Sequence, residues 1–190
     1  RNGLEGLFVT NAIGENNALY LERNPNVFSE SSKAWKLFHS SIDMVAFGCV
    51  FEDIDFDGFH DLMVLNGNIE DNTDLGEGYK FLPQLYYNLG SKIELVSAEQ
   101  NHFVATHCDE NAVLLRNTTP HDNHYLHVEL IGTSCDRDAI GAKVTVGCGE
   151  LQFFQSLVAG EGYYSVSERR LTFGLGDADK VDFVQIQWPD

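Results

Sequence analysis

The chemistry of this sequence is concentrated in one stretch, Asp53-Ile54-Asp55-Phe56-Asp57-Gly58-Phe59-His60-Asp61. Carboxylates at relative positions 1, 3 and 5 converge, because alternate side chains of a curling backbone point to its inner side. Gly58 at position 6 permits the sharp bend. The carbonyl of Phe59 at position 7 offers the next oxygen, and Asp61 at position 9 closes the cage. Hard oxygen donors in this number suit Ca²⁺ better than Mg²⁺, which demands a stricter octahedron. Without a cation, four carboxylates a few ångströms apart repel by on the order of several kcal/mol. The loop is therefore expected to be loose when empty and stiff when filled. It is not an EF-hand: position 12 is Val64, where a bidentate Glu is needed, and the flanking residues read as strands. With every ligand position supplied by the protein, the ion would be structural. The plainer alternative is an Asp-rich solvated turn.

The elements that must hold this loop repeat. Leu7-Phe8-Val9-Thr10-Asn11 aligns with Leu62-Met63-Val64-Leu65-Asn66, and Gly3 with Gly58. Further on, Leu19-Tyr20 corresponds to Leu85-Tyr86, the offset having grown through an extra loop at Asp71–Lys80. A third echo, Ala112-Val113-Leu114-Leu115-Arg116-Asn117, matches only the second part of the unit. Each unit reads as short strands, as in a propeller blade, but propellers need about 4–8 blades and this chain holds two and a fraction. In the first unit Asn2 stands where Asp57 does and Gly6 where Asp61 does, so no ion is expected there. One short helix is expected near Ser31–Phe38, with Ser as cap and Ala34, Trp35 and Leu37 packing.

Past Pro120 the texture changes. Tyr125–Ile131, Ala142–Val146, Leu151–Leu157, Arg170–Phe173 and Phe183–Trp188 read as five strands with glycine at the corners, a small β-sandwich or barrel. The predicted fold is all-β: partial propeller-like repeats over residues 1–117, then a small β-sandwich over 118–190.

Composition limits the function classes. The chain has 190 residues, 43% hydrophobic and 22% charged, which is globular and long enough to bury a core. Its 29 Asp and Glu against 12 Lys and Arg give a net charge of −17. Nine of those acids lie between Glu52 and Glu77, where there is no Lys or Arg. Such a surface repels nucleic acid and anionic lipid and attracts cations. No apolar run is long enough to span a bilayer as a helix. The chain starts at Arg1, which reads as a processed product or a piece of something longer. Cys49, Cys108, Cys135 and Cys148 include no CxxC pair. They are expected either as buried thiols or with one disulfide, Cys135 with Cys148 being the favoured pair because they flank one short β segment.

Other constellations are weaker. His121, His124 and His127 would share an ion only with difficulty, since 124 and 127 face opposite ways on a strand. Asp136-Arg137-Asp138 reads as an ion-paired turn before a second ion site, and Asn117-Thr118-Thr119 is a glycosylation sequon. The Gly-x-Gly pairs do not continue into GxGxxG, and no hydrolase motif is present. Phe153, Phe154, Tyr163, Tyr164 and Trp188 read as sandwich core before a sugar platform, although alternation lets only one of Phe153/Phe154 and one of Tyr163/Tyr164 face inward.

Phe47-Gly48, the acidic loop and Leu62-Met63-Val64 together resemble the FG-GAP (VCBS-type) repeat of integrin α-chain propellers and many secreted proteins. Residues 117–190 resemble the ASPIC/UnbV domain of the cartilage acidic protein family. The matching stretches are Asn123-His124-Tyr125-Leu126 with Asn117 before it, Asp136–Ala142, Gly160–Tyr163, Arg170–Gly176 and Val184–Pro189. The resemblance implies a non-catalytic, calcium-binding adhesion or ligand-recognition module, extracellular or periplasmic, with Ca²⁺ held by Asp53, Asp55, Asp57, Phe59 and Asp61. Its partner would be an extracellular protein or glycan, with no nucleic acid and no membrane insertion. Two alternatives are a carbohydrate-binding or substrate-guiding part of a larger secreted enzyme, and a structural module that associates with itself edge to edge.

Overall fold

The computed structural model describes residues 5–71, 73–76, 78–96, 103–105, 111–117, 119–160, 162–163 and 168–189. The fold is all-β, built of several antiparallel sheets, none of which closes into a barrel among the described residues. Chain contacts divide it into two compact units, one of Leu4–Ile54 and His60–Thr119, the other of Asp55–Phe59 and Pro120–Asp190. Among the described residues no helix is long and apolar enough to cross a membrane.

The first unit begins with the sheet β1 (Gly6–Val9), β2 (Ala18–Asn24) and β3 (Val27–Glu30). A four-stranded meander follows: β4 (Ala46–Glu52), β5 (Asp61–Asn66), β6 (Gln84–Asn88) and β7 (Ile93–Val96). The strands β8 (Phe103–Ala105) and β9 (Val113–Leu115) pair with each other. β5 is buried on both faces, which explains its continuous apolar run where alternation would mark a half-exposed strand. Leu62 and Val64 pack with Phe8, Leu19, Leu37, Ala46 and Tyr86. Met63 turns the other way and packs with Ile54 and Leu85.

The residues matched by the internal repeat stand at equivalent registers. Leu7 is opposite Tyr20 and Phe8 opposite Leu19, just as Leu62 is opposite Tyr86 and Met63 opposite Leu85. A side-chain hydrogen bond is repeated as well. The Asn11 amide donates to the Asn16 carbonyl at 2.7 Å, and Asn66 donates to Leu82 at 2.9 Å. Apart from one 3₁₀ turn, the Asp71–Lys80 insertion contributes no regular element among its described residues.

The short helix lies later than expected. Ser32–Lys36 form successive turns, with Trp35 N–H donating to Ser31 and Leu37 N–H to Ser32. Lys36 has φ 60, a left-handed conformation that ends a right-handed turn. The α-helix α1 is Phe38–Ser41, without a side-chain cap. Leu37 is buried and Trp35 packs beside it, so the residues expected to pack do so from turns.

The second unit contains β10 (His124–Glu129), β11 (Lys143–Cys148), β12 (Leu151–Ser156), β13 (Arg170–Gly176) and β14 (Phe183–Gln187). β10 pairs with β13, and β11 lies between β12 and β14. Both sheets contribute to one core, which includes Leu171 and Phe173 from β13 and Val144, Val146 and Phe153 from β11 and β12. On β11 the alternate residues Lys143, Thr145 and Gly147 point away from that core. Their cross-strand neighbours form three outward rows: Ser156–Lys143–Gln187, Phe154–Thr145–Gln185 and Gln152–Gly147–Phe183.

The favoured disulfide is absent. The Cys135 thiol donates to the Asp136 carbonyl at 3.6 Å, and the Cys148 thiol to Lys180 at 3.3 Å. Both are free thiols. Proximity in sequence to the same strand does not bring them together, because Cys148 ends β11 whereas Cys135 sits in the preceding turn. Cys108 lies outside the described residues.

Candidate metal loop

β4 and β5 are antiparallel neighbours whose last pair is Glu52 with Asp61, so the acidic stretch closes their hairpin. Two carboxylates fold it locally. Asp55 Oδ1 accepts the Asp57 N–H at 3.2 Å, and Asp57 Oδ1 accepts the Phe59 N–H at 2.8 Å. The backbone turns left-handed twice, at Phe56 (φ 59) and Gly58 (φ 86). Glycine meets that geometry without cost at position 58, whereas at position 56 a phenylalanine is held there against its preference.

Of the expected ligands, Asp53, Asp55 and Asp57 come together, each with a carboxylate oxygen within 4.8 Å of the other two. Asp53 is almost wholly buried. Asp61, equally buried, does different work. Its Oδ2 accepts the Ile54 N–H at 3.1 Å and its Oδ1 the Asn88 N–H at 2.8 Å. Phe59 enters through its N–H on Asp57, which fixes the peptide plane preceding the residue whose carbonyl was expected to bind. The donor set, all oxygen and three carboxylates strong, is the kind that Ca²⁺ accepts, with carbonyls and water completing a coordination of about 6–8. Asn2 and Gly3, the counterparts in the first repeat, lie outside the described residues.

Several contributors were not evident from spacing. The Asn117 side-chain amide donates to the Ile54 carbonyl at 2.9 Å, and that of Asn123 donates to the Asp55 carbonyl at 2.9 Å. Both asparagines belong to the stretches resembling ASPIC/UnbV, but nothing in their sequence positions ties them to residues 54 and 55. Asn117 Oδ1 also accepts the Thr119 N–H in a local turn, while its Nδ2, the nitrogen that a glycan would need, is the one that donates to Ile54.

Phe56 is fixed from two sides. Its carbonyl accepts the Gly176 N–H at 2.9 Å. Its ring meets His121 edge-on at 4.8 Å and Tyr125 at 4.6 Å. Tyr125 in turn contacts His127, whose Nδ1 lies 3.0 Å from the Thr172 hydroxyl. Loss of hydration and the nearby Arg170 charge lower the His127 pKa. His121 and His127 thus take part in ring contacts, and the acidic trio is the one metal-competent cluster among the described residues.

Asp136–Asp138 is a turn. The Ala139 N–H donates to the Asp136 carbonyl and the Gly132 N–H to Arg137. Asp138 pairs with Arg169 at 2.8 Å, both exposed. Phe153 is buried and Phe154 exposed, as alternation requires, and Tyr163 and Trp188 are exposed too. Tyr164 lies outside the described residues.

No curated protein matches the chain. Residues 132–190 match the family model described as ASPIC and UnbV, which supports an ASPIC/UnbV domain at the C-terminal end.

Proposed function

We propose that this chain is a non-catalytic, calcium-binding recognition module that acts outside the cytoplasm, with FG-GAP (VCBS-type) repeats over residues 1–117 and an ASPIC/UnbV β-sandwich over 118–190. The observation that carries the reading is the gathering of the Asp53, Asp55 and Asp57 carboxylates within 4.8 Å. They lie in a stretch, Glu52 to Glu77, that carries nine acidic residues. A divalent cation removes that repulsion and stiffens the hairpin. The four-stranded meander β4–β7 has the strand number of a propeller blade, and the matched registers of the two repeats favour a repeated unit. Two sheets around one core favour a sandwich at the C-terminal end. Calcium sites of extracellular modules bind at about 10⁻⁴–10⁻³ M, and a loop with three converging carboxylates suits that range. The partner would be an extracellular protein or glycan, met by adhesion without chemistry.

Thermal melting in calcium and in excess chelator tests the reading. Calcium at roughly tenfold excess over Kd stabilises the native state by about 1.4 kcal/mol. For a chain of this size that raises the midpoint by about 3–6 °C. The double variant Asp55→Ala, Asp57→Ala is expected to lose the shift. An equal shift in that variant, or none in the unmodified chain, removes calcium from the account.

A second reading, a carbohydrate-binding part of a larger secreted enzyme, is favoured by the outward rings of Phe154 and Trp188.

A further inference from the structure

We infer that the outward face of the sheet β12–β11–β14 binds a neutral oligosaccharide. The inference rests on the reading of the chain as a recognition module, but not on the metal.

Three features carry it. The first is charge. The outward rows contain Lys143 and no carboxylate, in a chain with a net charge of −17. The surrounding field repels anions and draws cations to other surfaces, which leaves this face to an uncharged partner. The second is ring geometry. A Cβ placed on Gly147 would meet three Phe183 ring atoms within 2.6 Å, so the ring lies down over the backbone of β11 and turns a face to solvent. Phe183 and Phe154 are 42% and 41% exposed, on the two strands that flank β11. Thr145 and the glutamines 152, 185 and 187 supply uncharged donors and acceptors around them. Flat apolar rings among amides and hydroxyls match the two surfaces of a sugar, the C–H face and the hydroxyl rim.

The third is size. Three strands by five residues cover about 14 Å by 17 Å, or roughly 240 Å². A stable protein interface takes about 800 Å² from each partner. The face is too small for a second copy or a protein and suits a short glycan. From the strand spacing the Phe183 ring, lying over Gly147, is about 8 Å from the Phe154 position, a reach for two or more linked sugars and not for one.

The test uses the full chain with cellohexaose, xylohexaose and chitohexaose as probes, followed by calorimetry and affinity electrophoresis. At least one should bind. Phe154→Ala with Phe183→Ala should weaken that binding at least tenfold with the melting temperature nearly unchanged. If that variant melts early, Gln152→Ala with Gln185→Ala leaves the rings in place and should still weaken binding severalfold. Asp55→Ala with Asp57→Ala should bind the glycan normally, so failure of the calcium reading and failure of this one are separable. The inference is overturned if none of the three glycans binds, or if the face variants bind as tightly as the unmodified chain. It is also overturned if the unmodified chain sediments as a dimer that Phe154→Ala with Phe183→Ala dissociates, because a second copy would then cover the face.

Discussion

Asp61 Oδ2 accepts the N–H of Ile54 at 3.1 Å, closing the acidic hairpin from within. The other oxygen reaches the Asn88 N–H, so the same carboxylate ties the hairpin to β6. Asp61 is therefore expected to matter with or without an ion. Asp61→Ala removes two charge-assisted hydrogen bonds from a buried site and should cost about 2–4 kcal/mol in chelator as well as in calcium. Asp55→Ala should cost under about 1 kcal/mol in chelator. Denaturant melts of both variants, each in chelator, check the contrast. Equal costs would mean that Asp61 is only another ligand.

Phe56 yields a reversed order of substitutions. Alanine normally disturbs a fold less than glycine does. At φ 59, however, a Cβ costs roughly 1–2 kcal/mol that glycine avoids. Phe56→Ala should lose the ring contacts with Tyr125 and His121 and keep the strain, whereas Phe56→Gly loses the contacts and relieves it. Phe56→Gly should thus be the more stable of the two by about 1 kcal/mol. The usual order in chemical denaturation would show that the residue relaxes out of the left-handed region.

Adjacent phenylalanines should behave differently. Phe153 is buried in the C-terminal core, and Phe153→Ala should cost about 3–5 kcal/mol. Phe154→Ala should cost less than about 1 kcal/mol, since its ring already meets water. Urea midpoints of the two variants give the comparison, and a large cost at Phe154 would put that residue in the core.

Cys135 and Cys148 should both take up iodoacetamide in native, unreduced protein. Their thiols donate to different carbonyls, that of Cys135 from a turn and that of Cys148 from the end of β11. Peptide mass mapping is the check; a peptide linking residues 135 and 148 would overturn the assignment.

The C-terminal strands were legible in the sequence because their signal is local. Alternation at Tyr125–Ile131 and glycines at the corners are enough to mark β10 and its successors, and each strand falls within a residue or two of its expected span, except that β13 runs on to Gly176. The acidic trio was legible for the same reason: residues 53, 55 and 57 are neighbours in a turn. The helix was not. Helical composition at Ser31–Phe38 loses to the left-handed backbone at Lys36, which tertiary packing of Leu37 and Trp35 imposes. Spacing marks Asp61 as an oxygen donor at the end of the hairpin but does not reveal that its two oxygens accept the Ile54 and Asn88 N–H groups. Its partner Asn88 is set by strand pairing. Asn117 and Asn123 were hidden likewise, since their targets, the carbonyls of Ile54 and Asp55, stand far away along the chain.

The double burial of β5 bears on how this protein is made. As the nascent chain leaves the ribosome, the partners of Leu62 and Val64, among them Phe8, Leu19 and Leu37, are already out. Leu85, which covers Met63, emerges later. During translation β5 can therefore settle on one side while the other remains greasy and uncovered. A pause in translation after β5 has emerged and while Leu85 is still within the exit tunnel would prolong that interval, and chaperones would meet the chain at Met63.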